Sequence, residues 1–125
     1  MDVDFEQYPG YLNVAARGMF TIEEAVAAFQ EILDRCLSTG QTSVLIDFAK
    51  LDGIDYATLR VIFALSARER YDRYLAHDGL PLRMAFVADP HSYLSWQPGM
   101  EAVSQNAQNV QTFIDRQAAL DWLSA

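Results

Sequence analysis

At 125 residues the chain is the size of one domain, and its 51% hydrophobic and 21% charged residues are ordinary for a protein that buries a core. Seventeen acids against nine bases give a net charge of −8, which argues against nonspecific binding to nucleic acid or anionic membranes, since phosphate neutralisation needs clustered lysine and arginine. No apolar run reaches the length of a membrane span, MDVDFEQY lacks the apolar core of a signal peptide, and the single cysteine, Cys36, has no partner for an internal disulfide; a reducing, cytoplasmic setting of bacterial type is expected.

The opening VDFEQYPGYLNVAARGMF predicts a hairpin, because Val3 and Phe5, then Leu12, Val14 and Ala16, alternate on either side of Pro9-Gly10. Thr21-Ile22-Glu23-Glu24 is a capping box, with the Thr hydroxyl and the Glu carboxylate expected to satisfy free amides. Behind it Ala25, Phe29, Ile32, Leu33 and Cys36 recur at helical spacing, and Gly40 marks the end. Ser43 to Phe48, SVLIDF, has the apolar, β-branched character of a central parallel strand. A helix is expected from Asp55 to about Ala76, with Leu59, Ile62, Phe63, Ser66, Ala67, Tyr71 and Tyr74 on a mostly apolar face, and His77-Asp78-Gly79-Leu80-Pro81 stops it. RMAFVAD, Arg83 to Asp89, is a third buried-type strand. Residues 92–108 predict a helix that Pro98-Gly99 breaks or restarts. Asn109 to Ile114 reads as the last strand, and Asp115 caps a final helix, RQAALDWLSA, that buries Ala119, Leu120 and Leu123 or Trp122. The order β-β-α-β-α-β-α-β-α implies an α/β fold in a single domain, 1–125, with a mixed, mostly parallel sheet and helices packed on it.

The stretch VLIDFAKLDGIDYATLRVIFAL resembles the core signature of the STAS family, the fold of the bacterial anti-sigma-factor antagonists. There an apolar strand ending in Asp leads through a loop to Asp-Ser-Ser/Thr-Gly-Leu and an apolar helix. Val44 to Ile46, Asp47, Asp55, Leu59 and Val61 to Leu65 match that pattern. The end, VQTFIDRQAALDWL, is similar to the Phe-x-Asp-x-x-x-Ala-Leu-x-Trp-Leu tail of the SpoIIAA-like group, also called STAS/SEC14-like. The resemblance implies the fold, a regulatory role, and a phospho-acceptor turn at Asp55, Tyr56 and Thr58. It departs at the acceptor itself: Tyr56 stands where those relatives have serine, and Ala57 and Thr58 stand where Ser or Thr and Gly are expected. A serine-specific kinase is not expected to reach the phenol oxygen of Tyr56. Thr58, two residues further on, faces another direction on the helix. The phospho-serine switch is therefore not expected here.

Each candidate residue has a plainer use beside its functional one. Asp47 and Asp55 could form a small acidic site, but Asp47 is expected to end a strand and Asp55 to cap a helix. Tyr56 and Thr58 sit where a helix N-terminus holds anions, without a glycine cradle. RERYDRY, Arg68 to Tyr74, could recognise an acidic or phosphorylated partner, although Glu69 and Asp72 favour a solvated, internally paired face. Tyr93 and Trp96, in DPHSYLSWQPGM, either line a pocket or contact patch or cover the sheet. His77 and His91 have no metal-ligand spacing, Cys36 reads as an inert buried thiol, and no nucleophile elbow or phosphate loop occurs, so no catalytic residue, metal or cofactor is expected. The favoured reading is a noncatalytic protein-interaction module with an unidentified protein partner. The alternative is a carrier or sensor of a small apolar or lipid-like ligand held near Tyr93 and Trp96. The first should expose an apolar patch on the helix after Asp55; the second should enclose an apolar pocket that includes Trp96. A homodimer is compatible with the aromatic content, which does not establish one.

Overall fold

Pro9-Gly10 reverses the chain between two antiparallel strands, β1 (Asp2–Gln7) and β2 (Leu12–Met19). The hairpin is closed by Tyr8 N–H donating to the Tyr11 carbonyl at 2.9 Å and by the two rings stacking with centroids 5.0 Å apart. The computed structural model describes residues 1–53, 57–90 and 109–125, with backbone alone for 57–60. Beyond the hairpin come α1 (Ile22–Thr39), β3 (Ser43–Asp52), α2 (Ala57–Ala76), β4 (Arg83–Val87), β5 (Val110–Phe113) and α3 (Arg116–Leu123). These follow the expected order; the helix expected over 92–108 lies outside the described residues.

The five strands lie side by side in chain order, and every pair after the first is parallel. Right-handed crossovers that always step in one direction place their helices on one face. Accordingly α1 and α2 share a core with that face: Phe29, Ile32 and Leu33 from α1 and Phe63, Ala67 and Tyr71 from α2 meet Leu12, Val14, Val44, Ile46, Met84 and Phe86. The chain leaves β5 to lay α3 on the opposite face, where Ala119 and Leu123 cover Leu45, Ala85 and Val87. Because β3 and β4 are buried on both sides, they read as continuous apolar runs in the sequence.

Local chemistry sets the ends of the helices. Thr21 accepts from Glu24 N–H at 3.3 Å at the start of α1, and Gly40, in the left-handed region at φ 76°, returns its N–H to the Cys36 carbonyl at 2.9 Å. The capping box differs from expectation in one respect. The Glu24 carboxylate takes the Thr21 hydroxyl at 2.8 Å and the Met1 ammonium at 3.2 Å, not a first-turn amide. These two contacts, the hydroxyl first, hold its carboxyl below the ordinary glutamate range. Asp115 caps α3 as expected, accepting from Gln117 N–H at 3.2 Å.

One strand corrects the sequence reading. Asp47 does not end β3, which continues to Asp52. Ala15 pairs with Asp47 but Arg17 pairs with Lys50, so two residues of β3, Phe48 and Ala49, oppose Ala16 alone. This is a β-bulge. Before it Val44, Ile46 and Phe48 face the larger core; after it Leu51 packs against the same core, the parity having moved by one. Asp47 Oδ1 accepts from Ala49 N–H at 3.1 Å and so holds the extra residue.

Candidate functional site

The carboxyl edge of the sheet carries the region singled out by the sequence. β2 and β3 run on together past the last pair of β3 with β4, through Gly18–Leu51 and Met19–Asp52, to Gly53 at φ 78°. Glycine is favoured there by its positive φ; a side chain would also meet the sulfur of Met19, which is exposed and able to swing aside. Asp55 and Tyr56 lie outside the described residues. Thr58 is placed by its backbone in the first turn of α2, whose side chains are described from Val61 onward. Tyr93 and Trp96 also lie outside the described residues.

Phe63 anchors the early part of α2. Its ring meets Phe20 and Phe29 edge-on, at centroid distances of 6.3 and 6.4 Å, and Ala64 and Ala67 are buried beside it. With that face inward, Val61, Ile62 and Leu65 remain 57%, 43% and 65% exposed. Ile62 was expected on the buried face and is instead at the surface. The signal was present in the sequence. Five consecutive apolar residues, Val61 to Leu65, turn through about 400° at roughly 100° per residue, more than one buried stripe can cover. Three large aliphatic side chains exposed within five residues, α2 positions 61, 62 and 65, form a patch rather than scattered apolar atoms.

In the later half of α2 one of the pairs suggested by the charge pattern forms within the helix, and a second arginine turns to α1. Arg73 pairs with Glu69 at 2.8 Å, and Arg70 donates to Gln30 Oε1 on α1 at 2.9 Å while Gln30 donates to Asp34 at 3.0 Å. Arg68 is exposed and has no hydrogen-bond or ion-pair partner among the described residues. On the other face of the sheet Asp47 Oδ2 lies 3.8 Å from Arg116, which also donates to Asn13 at 2.6 Å. Asp47 thus serves the bulge and fastens α3.

The described residues hold no group of three or more His, Cys, Asp or Glu side chains able to bind a metal. Cys36 is buried, and burial pushes its thiol up to about 11, which suppresses the nucleophilic thiolate. A void of about 60 Å³ lies between β1, β2, β3 and the helices, lined by apolar side chains including Val14, Phe20, Phe29, Ile46 and Phe63. Pockets for small organic ligands run to roughly 300–1,000 Å³. No helix of the described residues is long and apolar enough to cross a membrane.

A family profile described as SpoIIAA-like matches residues 11–124. The chain belongs to the SpoIIAA-like family. Two solved structures share the fold of this SpoIIAA-like protein. A Ser-to-Glu form of RsbS from Moorella thermoacetica superposes with a TM-score of 0.60 at 17% identity, covering 99% of this chain and 96% of that one. An uncharacterised protein from Shewanella loihica PV-4 with a SpoIIAA-like fold gives a TM-score of 0.56 at 22% identity, covering 98% and 92%. No curated protein matches the chain in sequence. The family match and the two structures give this chain the general STAS and SpoIIAA-like regulatory fold.

Proposed function

We propose that the chain is a SpoIIAA-like regulatory module that docks a partner protein on the first half of α2 and operates without a phospho-serine switch. The observation that carries this reading is the exposed set Val61, Ile62 and Leu65, held outward because Phe63 occupies the core beneath them. It is the patch expected of an interaction module. The absence of the switch rests on Tyr56 at the position where the antagonists carry serine. The carrier reading depends on Tyr93 and Trp96, which lie outside the described residues.

Native mass spectrometry of the protein purified from its own host tests the proposal, with wild type beside the Val61→Asp/Leu65→Asp variant. A co-purifying protein that is lost from the variant while its melting temperature holds is the expected result. A small molecule retained by both would transfer support to the carrier reading, and a phosphate on Tyr56 or Thr58 would restore the switch.

A further inference from the structure

We infer that the segment seated on α2 is an acidic amphipathic helix, with its apolar side on Val61, Ile62 and Leu65 and a carboxylate on Arg68. This rests on the docking role proposed for α2 and specifies the chemistry of its occupant. The chain is acidic as a whole, yet the sequence of α2 carries Arg60, Arg68, Arg70 and Arg73 against Glu69 and Asp72, a net +2 in a molecule of net −8. The remainder is correspondingly more acidic, with Asp2, Asp4 and Glu6 on β1 and Glu23, Glu24, Glu31 and Asp34 on α1. The exposed aliphatic residues therefore sit on a basic element of an acidic protein.

Among the described side chains of α2, Arg68 is the cation available at this place. Arg70 is engaged by Gln30 and Arg73 by Glu69, whereas Arg68 has no partner among the described residues. Val61, Leu65 and Arg68 stand at i, i+4 and i+7, one line along the helix of about 10 Å at 1.5 Å per residue. A partner helix laid along that line meets two apolar side chains and then a guanidinium, within two of its own turns. An arginine without a partner among the described residues, bordering apolar surface, is suited to a bidentate contact with a carboxylate. An acidic segment is repelled by β1 and α1 and admitted at α2, which gives specificity of place. Two copies meeting α2 to α2 would oppose like charges, which disfavours self-pairing through the same face.

Isothermal titration calorimetry in 150 mM NaCl, where charges beyond about 8 Å are largely screened, reads the inference directly. The probes are three synthetic 14-residue amphipathic helices with one leucine stripe and Glu, Gln or Lys at every polar position. The Glu peptide is expected to bind at least tenfold more tightly than the Lys peptide. Arg68→Glu should remove most of that preference, and Leu65→Asp should abolish binding, with far-UV circular dichroism unchanged in both. A Lys peptide that binds as well as or better than the Glu peptide overturns the inference, the overall charge having prevailed. Equal binding of all three, abolished by Leu65→Asp, overturns it too but leaves the docking role standing. Binding of none, or binding indifferent to Leu65→Asp, sinks both. A dimer of the protein alone in sedimentation velocity, lost in Leu65→Asp, would assign the face to a second copy and likewise overturn it.

Discussion

Tyr71 and Tyr74 lie three residues apart on the buried side of α2, their rings stacked at 5.8 Å, and use the same hydroxyl in opposite senses. Tyr71 accepts from Leu82 N–H at 2.9 Å, and Tyr74 donates to the Leu80 carbonyl at 2.8 Å. Leu82 is fully buried while Leu80 is at the surface, so the two bonds are not equivalent. Tyr71→Phe strands a buried amide and should cost about 1–3 kcal/mol; Tyr74→Phe leaves a carbonyl that water can reach and should cost less than about 1 kcal/mol. Urea unfolding of the two variants gives the comparison, and an equal loss would refute it. Thr112 presents the converse case. Its Oγ1 is buried on β5 with no hydrogen-bond partner among the described residues, so Thr112→Val should raise stability by about 1 kcal/mol, visible as a higher melting temperature.

The same burial predicts an alkaline limit. It pushes Tyr74 up to about 12 from the ordinary 10.0 and Cys36 up to about 11 from 9.0, and it raises Tyr71 as well. Folding holds these protons more tightly than the unfolded chain does. The stabilisation is thus complete below about pH 9 and is lost as pH rises through the folded values, with a slope set by the protons that the unfolded chain has already released. Each two-unit shift corresponds to at most about 3 kcal/mol. Urea midpoints should fall between pH 9 and 12, and Tyr74→Phe with Cys36→Ala should flatten that fall. A midpoint constant to pH 12 would contradict the account.

At the scale of elements, what could be read in the sequence was what local chemistry decides. Thr21, Gly40 and Asp115 mark helix ends through backbone bonds within a few residues, and each is found where the sequence put it. β3 was read too short because Phe48 and Leu51 break the period of two, and a broken alternation looks like a strand end. The structure keeps both side chains on one face with a bulge, which depends on β2 as a neighbour and so leaves no local signature. Ile62 was misplaced for a related reason: which three of five apolar residues stay outside depends on Phe63 finding Phe20 and Phe29. Of the site residues, Asp47 was legible as important but not in its role. Asp47→Ala should lose about 1 kcal/mol by releasing Ala49 N–H and Arg116, whereas Asp47→Asn keeps the bulge contact and should lose less. If the two substitutions cost the same, the charge rather than the bulge contact is what Asp47 contributes.

For the whole molecule, two electrostatic effects compete and salt separates them. Exposed pairs such as Arg17–Asp4 at 2.9 Å, Arg35–Glu31 at 3.3 Å and Arg73–Glu69 at 2.8 Å favour the fold, and salt weakens them. Each contributes roughly 0–1 kcal/mol, and part of that survives screening at contact distance. Against them stands the self-repulsion of a net charge of −8 confined to a fold with a radius of gyration of about 14 Å. Unfolding spreads that charge over a coil more than twice as wide, so repulsion favours the unfolded chain, and it acts over distances that salt screens well. A Coulomb self-energy for the two radii gives a difference of roughly 1–2 kcal/mol between 20 and 300 mM NaCl, in the direction of greater stability at high salt. The repulsion should win, because seventeen acids stand against nine bases in the whole molecule while the exposed pairs keep part of their attraction at contact distance. Urea midpoints at pH 7 should therefore rise with NaCl. A falling midpoint would mean that the exposed pairs hold more of the fold together than their geometry implies.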